Sequence, residues 1–192
     1  AEILSTSGCI IFRATEAYLN YIEASYEKEG ALNGTALNYW GQLRTRAGLP
    51  ADPNVTIAAT DLDKENDWAV YSAGAKVDPT LYNIRRERRC ELIAEGMRWA
   101  DLRRWCALDQ VKNYQIEGVN LWAELYKSTR YKDKKTGKDL LVTLPNANPT
   151  VSAKSVSTYL RPYQIVQANN LYYNGYTWTP AHYRSPIPYD NF

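Results

Sequence analysis

The segment Asp78–Cys106, DPTLYNIRRERRCELIAEGMRWADLRRWC, decides how the rest of this chain is interpreted. Asp78 is suited to cap the start of a helix, and Pro79 fits the first helical position, where no backbone N–H is needed. Gly96 fits the left-handed residue that follows a helix end. Three apolar residues share one face at helical spacing: Leu81, Ile84 and Leu92. The segment therefore predicts two helices separated by a turn at Gly96.

Charged side chains fall on the same helical face as these apolar residues. Because an isolated ion beside a core is strongly unfavourable, such charges must be paired. The segment beyond Gly96 supplies further partners. We therefore predict a salt-bridge network that holds the two helices together where the chain turns between them. Its members are Arg88, Glu91, Glu95, Arg98 and Asp101.

Two carboxylates on one helical face could instead perform acid–base chemistry. Arginines outnumber the carboxylates in this segment and would keep them ionised and paired. We interpret the network as a structural lock and predict no catalytic residue.

The signature from Ile84 to Trp105, IRRERRCELIAEGMRWADLRRW, resembles that of the SusD/RagB family. Two further matches follow the family's order: FRATEAYLNYIEA at 12–24, with LRTRAGLP at 43–50, and SPIP at 185–188. The resemblance corresponds to the C-terminal part of a family member. It implies a cell-surface lipoprotein of Bacteroidota, held at the outer membrane by a lipid anchor absent from this fragment. Such a protein binds nutrients, mostly glycans, beside a SusC-like TonB-dependent transporter.

The first 50 residues predict another helical hairpin. Apolar side chains step by three and four along the first helix, which Gly30 ends. A second face of small residues suggests burial on two sides, as a helical solenoid requires. The expected core face consists of Phe12, Thr15, Leu19, Ile22 and Tyr26. The expected small-residue face consists of Ala14, Ala17, Tyr21 and Ala24. The expected solvent-exposed face consists of Glu16, Asn20, Glu23 and Glu27. The second helix follows Asn33-Gly34, with Leu37, Trp40, Leu43 and Ala47 as its apolar stripe. The length suits a tetratricopeptide-like unit, an interpretation that rests on the family resemblance.

Composition excludes several functions. The 192 residues carry 23 basic and 21 acidic side chains, a net charge of +2 without the basic stripe of a nucleic-acid-binding protein. The sequence contains no run of 18 apolar residues, so we predict no membrane-spanning helix. Asp61, Asp63 and Asp67 lack the Gly and Glu of a calcium loop, so we predict a solvated loop, no metal and no cofactor.

The three cysteines, Cys9, Cys90 and Cys106, have no metal-ligand spacing. Buried free thiols are expected, in preference to a Cys90–Cys106 disulfide.

The character of the chain changes after Cys106. Residues 114–122 and 140–144 are strand-like, and residues 132–137 predict an exposed turn. The tail from Tyr159 is dense in aromatics, which either close the core or present flat faces to a sugar. Within it, Gly175 and Pro180 bracket a turn suited to display Tyr176 and Trp178, our candidate ligand-binding residues. His182 is expected to be a hydrogen-bonded structural residue.

We therefore predict a mainly α fold, a SusD-like α/α superhelix fragment. Residues 1–107 form the helical hairpins, at 9–50 and 78–107, and residues 108–192 form a loop-rich, aromatic C-terminal region of the same domain. The expected function is binding of an oligosaccharide, or a peptide, for the transporter at the cell surface. The alternatives are a protein- or peptide-binding helical-repeat scaffold without glycan affinity, and a glycan-active enzyme with two carboxylates facing a cleft.

Overall fold

The computed structural model describes residues 11–123 and 131–184, which belong to two compact units, 1–107 and 108–192. The predicted mainly helical fold is confirmed. Residues 11–107 of the first unit form five helices: α1 (Ala14–Glu29), α2 (Gly34–Arg46), α3 (Asn54–Ala58), α4 (Pro79–Glu91) and α5 (Arg98–Arg104). Its strands β1 (Tyr71–Ser72) and β2 (Ala75–Lys76) pair in antiparallel fashion. Cys9 and the SPIP segment at 185–188 lie outside the described residues.

Helices α1 and α2 form the predicted hairpin around an apolar core. Gly30 ends α1 in the left-handed conformation, and the Asn33 side chain caps α2 by accepting a hydrogen bond from the Ala36 amide. The core consists of Leu19, Ile22, Ala36, Trp40, Leu43, Ile84 and Leu92. It therefore joins the hairpin to α4 and to the turn that follows α4.

The predicted faces of α1 need three corrections. Phe12, expected on the core face, precedes the helix and is 62 % exposed. Ala14, Ala17, Tyr21 and Ala24, the expected second buried face, are exposed. Glu23, placed on the wet side, is only 3 % exposed. Helical spacing placed Leu19 and Ile22 in the core correctly but could not reveal that Arg104 and Trp105 donate hydrogen bonds to Glu23.

Helix α4 begins as the sequence predicts and ends earlier. The Asp78 carboxylate accepts hydrogen bonds from the amides of Thr80 and Leu81, and Pro79 occupies the first turn. The helix ends at Glu91, and residues 92–97 form a turn with positive φ at Ala94 and Gly96. The early end places Glu95 on the surface instead of on the buried face.

The hairpin of β1 and β2 is fastened to α4 by a buried arginine. Arg85 is 3 % exposed and donates hydrogen bonds to the carbonyls of Ala69 and Tyr71 and to the Ser72 hydroxyl. Burial lowers the pKa of the Arg85 guanidinium. Two of the three oxygens that accept from Arg85 are therefore backbone carbonyls, and its Nε is buried without a hydrogen-bond partner among the described residues.

The second unit is built of loops and short 3₁₀ turns at Leu108–Val111, Pro162–Gln164 and Pro180–Tyr183. The strands expected at 114–122 and 140–144 do not form among its described residues. Their extended backbone changes partner too soon for a ladder: residues 113–114 pair with Tyr176, whereas residues 118–119 pair with Leu160. The predicted turn at 132–137 is confirmed, with the Asp133 carboxylate accepting from the amides of Lys135 and Thr136.

Candidate functional site

The most buried ion pair of the first unit joins α4 to α5. Arg88 and Asp101 are 3 % and 4 % exposed, and Nε of Arg88 donates to both carboxylate oxygens at 2.9 and 2.8 Å. Nη1 of Arg88 donates to Oδ1 of Asn20 on α1 at 2.8 Å. Nε of Arg104 reaches the same Asp101 carboxylate at 2.9 Å. Three helices, α1, α4 and α5, are therefore connected through the Arg88 guanidinium.

A second buried carboxylate belongs to Glu23 on α1. Arg104 donates to its two oxygens through Nη1 and Nη2 at 2.5 and 2.6 Å, and Nε1 of Trp105 donates to Oε1. The guanidinium groups of Arg85 and Arg104 each lie 4.9 Å from the Trp105 ring centre, within range of a cation–π interaction. Burial, the largest single influence, lowers the pKa of Arg104, but hydrogen bonds and charge attraction to Glu23 and Asp101 together outweigh burial and raise the pKa.

Glu91 and Glu95 form a separate group with residues of the first hairpin. Arg13 donates to the Glu91 carboxylate at 3.1 Å and forms an ion pair with Glu95 at 2.5 Å. Arg46 also donates to Glu91. The hydrogen bond to Glu95 raises the pKa of Arg13 despite opposing desolvation. Both carboxylates are therefore held as partners of cations.

The third group is centred on Asp67, which precedes the Trp68–Val70 turn. Its side chain is 2 % exposed and accepts from Arg89 at 2.7 Å and from Arg98. Its Oδ1 also accepts from the Ala69 amide, which caps the turn. Arg98 is therefore bonded to Asp67.

These groups correct the expectation of one five-residue network. The structure brings Arg88 and Asp101 together, attaches Glu91 and Glu95 to Arg13, and attaches Arg98 to Asp67. The partners that sequence reasoning missed are separated from the signature by long stretches of chain. They are Arg13, Asn20, Glu23, Arg46 and Asp67. The sequence held no signal for Glu23, because its predicted face also contains Glu16 and Glu27.

The aromatic tail forms a tyrosine cluster, which we define as Tyr163, Tyr172 and Tyr176. The ring centres of Tyr172 and Tyr176 lie 5.1 Å apart, and Tyr163 lies 5.4 Å from Tyr172 and 6.3 Å from Tyr176. Tyr172 is 43 % exposed, while Tyr176 is half-buried. Desolvation, followed by a hydrogen bond with Tyr163, raises the pKa of Tyr176. The cluster therefore offers an exposed ring supported by two others.

Trp178 occupies a different setting from Tyr176. Its half-buried ring meets Tyr183 edge to face at 5.2 Å, and its Nε1 is buried without a hydrogen-bond partner within the described residues. Pro180 opens a 3₁₀ turn in which Nδ1 of His182 accepts from the Thr179 amide, so His182 is hydrogen-bonded as expected. The turn between Gly175 and Pro180 was expected to display Tyr176 and Trp178, but the two side chains contact different rings.

Gly175 sets the turn between Tyr172 and Tyr176. Its φ is +92°, and an added Cβ would lie 2.6 Å from the backbone carbonyl of Asn113. Only glycine accommodates this close approach. The tyrosine cluster therefore depends on a contact between the tail and the loop at Asn113.

The described cysteines and the possible metal ligands lie as follows. Cys90 and Cys106 are free and exposed, which corrects their expected burial. Within the described residues, no three His, Cys, Asp or Glu side chains are grouped to hold a metal ion. In the same part of the chain, no helix has the length and apolar character to cross a membrane.

Comparison with known proteins identifies the class to which this fold and signature belong. A model of the SusD family matches residues 2–191, nearly the whole sequence. The chain belongs to the SusD family. Membership implies a nutrient-binding outer-membrane protein. No curated protein and no solved structure matches the chain.

Proposed function

We propose that this chain is the C-terminal part of a SusD-like cell-surface protein that captures a glycan for a TonB-dependent outer-membrane transporter. The observation that carries the proposal is the family match over residues 2–191, on a chain whose signature contributes Ile84 and Leu92 to the core of a helical unit. In this proposal a lipid anchor holds the protein at the outer membrane.

Capture without turnover agrees with how the carboxylates of the signature are held. Glycosidases need one carboxyl group that donates a proton and a second that acts as a base or nucleophile, both facing the substrate. Glu91 is bonded to Arg13 and Arg46, and Asp101 is bonded to Arg88 and Arg104. Cations that close to a carboxylate favour its ionised form and oppose proton donation. The proposal therefore assigns these residues to the scaffold and not to catalysis.

Within this chain, we assign ligand contact to the tyrosine cluster. Sugar rings have apolar C–H faces that pack on aromatic faces, and phenol hydroxyls can bond to sugar hydroxyls. Tyr172 provides an exposed ring, and Tyr176 supports it. The Trp178 ring packs against Tyr183, and its Nε1 is buried. A ligand would therefore contact Trp178 only through the surface of its ring.

The test is binding of the full-length protein to a panel of oligosaccharides, measured by calorimetry. Tyr172→Ala and Tyr176→Ala should weaken binding of whichever glycan binds. Tyr159→Ala is the matched control, because Tyr159 is as exposed as Tyr172, at 43 %, and lies outside the cluster. Equal binding by all three variants would remove the cluster from the site. Peptide binding with no glycan binding would favour the helical-repeat scaffold instead.

A further inference from the structure

One turn of the second unit concentrates positive charge. Residues 131–140, YKDKKTGKDL, contain four lysines and two aspartates. The whole chain has 23 basic and 21 acidic side chains, so the net charge of this turn, +2, equals that of the whole chain. We call residues 131–140 the lysine turn. Charge of one sign that is concentrated on a surface attracts ions of the opposite sign.

Backbone hydrogen bonds close the lysine turn. The amide of Asp133 donates to the Lys138 carbonyl at 2.8 Å, and the amide of Gly137 donates to the Asp133 carbonyl at 2.8 Å. Nearer the base of the turn, the Leu140 amide donates to the Tyr131 carbonyl at 2.7 Å. Ordering a flexible loop on binding costs affinity, and a turn that is already formed avoids this cost.

The two aspartates of the lysine turn are engaged by other partners. Oδ1 of Asp133 accepts hydrogen bonds from the amides of Lys135 and Thr136 at 2.9 and 2.7 Å, and from the Thr136 hydroxyl at 2.9 Å. The hydrogen bonds from Thr136, followed by that from Lys135, lower the pKa of Asp133. Asp139 forms an ion pair with Lys132 at 3.3 Å. Neither carboxylate therefore neutralises the ammonium groups of the three remaining lysines.

These three lysines have no counter-ion among the described residues. Lys134, Lys135 and Lys138 are exposed, and their ammonium groups form neither an ion pair nor a hydrogen bond in that part of the chain. A lysine ammonium is a compact point charge, which attracts an anionic oxygen without the paired geometry that arginine favours. The lysine turn is therefore suited to anionic groups that are not held in one fixed arrangement.

A polymer with recurring charges suits this turn better than a single ion does. One exposed ion pair contributes little to affinity, so several must act together. A nucleic acid is disfavoured, because its phosphates require a basic stripe that this chain lacks. Anionic lipid surfaces are bound by clusters of about four to eight basic residues, more than the three free lysines. An acidic polysaccharide carries carboxylate or sulfate groups along one chain and fits the turn.

We propose that the lysine turn binds an acidic polysaccharide, with Lys134, Lys135 and Lys138 contacting carboxylate or sulfate groups along the sugar chain. The inference rests on the proposed function and adds the class of glycan, one that carries negative charge. In the proposed function the tyrosine cluster contacts sugar rings, whereas the lysine turn contacts charged substituents. Such attraction accelerates association and weakens as ionic strength rises.

The experiment compares acidic glycans with their neutral counterparts on the full-length protein. The probes are oligogalacturonate with its methyl ester and dextran sulfate with dextran, and binding is measured by calorimetry at about 20 mM salt, where screening is weak. At least one acidic probe should bind more tightly than its neutral counterpart, and the difference should shrink at about 0.5 M salt.

Two results of this comparison would contradict the inference. Equal binding of acidic and neutral probes, or binding of neutral glycans alone, would overturn the inference and leave the proposed function intact. Absence of binding to every glycan, including the oligosaccharide panel, would overturn both.

Neutralising the lysine turn tests its residues directly. The combined variant Lys134→Gln, Lys135→Gln and Lys138→Gln should weaken binding of the acidic probe about tenfold at low salt, the summed effect of three exposed ion pairs. Arg at the same three positions keeps the charges and should retain binding. Both variants keep the Asp133 side chain that holds the backbone of the turn. Unchanged binding in the Gln variant would refute the inference.

A matched control separates the lysine turn from the charge of the whole protein. The combined variant Lys28→Gln, Lys64→Gln and Lys154→Gln removes the same charge from exposed positions outside the turn and should bind the acidic probe like the parent. Equal losses in the two Gln variants would assign the attraction to net charge, which overturns the inference.

Vesicles of anionic phospholipid test the other occupant of the lysine turn. Vesicle binding that is lost in the Gln variant of the turn, with binding of the acidic probe unchanged, would assign the turn to a lipid surface and overturn the inference. Loss of acidic-probe binding in the same variant supports the polysaccharide.

Discussion

Removing either partner of the Arg88–Asp101 pair should destabilise the protein, and the two removals should differ. In Arg88→Ala, Asp101 keeps the Arg104 guanidinium at 2.9 Å. In Asp101→Ala, Arg88 stays buried with only the Asn20 amide oxygen, at 2.8 Å, as a described polar partner. An uncompensated cation is worse than a carboxylate that retains one cation, so Asp101→Ala should cost more.

The magnitudes follow from burial. Breaking a buried pair costs about 3–5 kcal/mol, so we expect Arg88→Ala near the lower limit and Asp101→Ala near the upper limit. Glu95→Ala should cost at most about 1 kcal/mol, because its ion pair with Arg13 is partly exposed, at 39 % for the Glu95 side chain. The sequence placed Glu95 beside Arg88 on the buried face, where its removal would be costly. The small cost expected for Glu95→Ala follows only from its exposed position in the structure.

The assay is urea unfolding of the full-length protein, followed by tryptophan fluorescence. The three variants should shift the midpoint without changing the slope against urea, since a changed slope reports altered exposure on unfolding. The double variant Arg88→Met with Asp101→Leu should cost less than either alanine change, because no unpaired charge remains. Equal midpoints for Asp101→Ala and Glu95→Ala would refute the reasoning.

Three further predictions concern the backbone and pH. Gly175→Ala should cost several kcal/mol or prevent folding of the second unit, because its Cβ would overlap the Asn113 carbonyl; a melting temperature like that of the parent would contradict this. Ala94→Gly should stabilise by about 1 kcal/mol in thermal unfolding, since it relieves a left-handed conformation, and a loss of stability would refute the strain. The Arg161 hydrogen bond, followed by that of Ser157, lowers the pKa of Glu117. Its contribution is therefore present above the usual glutamate pKa and lost as pH falls through the lowered value, which carboxyl NMR titration of the parent and Arg161→Gln would measure; identical pKa values would contradict it.

The local features of the first unit could be predicted from the sequence because short-range rules control them. The Asp78 cap, the Gly30 helix end and the Leu19–Ile22 stripe follow from residue type and spacing within a few positions. The resemblance to the family signature also predicted the helical fold. These features required no knowledge of the rest of the chain.

The ion-pair partners could not be predicted because they are long-range. Glu23 meets Arg104 across 81 residues of sequence, and Arg13 meets Glu91 across 78. Spacing rules place a charge on a helical face but do not say which distant element faces it. Glu23 therefore looked solvated in the sequence.

The second unit was predicted less well, for a different reason. Extended backbone there pairs in isolated hydrogen bonds with changing partners, so alternation in the sequence did not produce strands. Tyr176 and Trp178 are equivalent in the sequence pattern but make different contacts. Tyr176 packs in the tyrosine cluster, and Trp178 packs against Tyr183. Only three-dimensional placement distinguishes an exposed ring from a supporting one.

The most direct test of the account is titration of the purified full-length protein with oligosaccharides taken up by the cells that make it, followed by chromatography of the recovered sugar. We predict saturable binding of at least one oligosaccharide, which is recovered intact after prolonged incubation. Cleavage of the bound sugar, lost when Glu91 or Glu95 is changed to Gln in a folded protein, would contradict capture without turnover. Absence of binding to every oligosaccharide would contradict a glycan-capturing role.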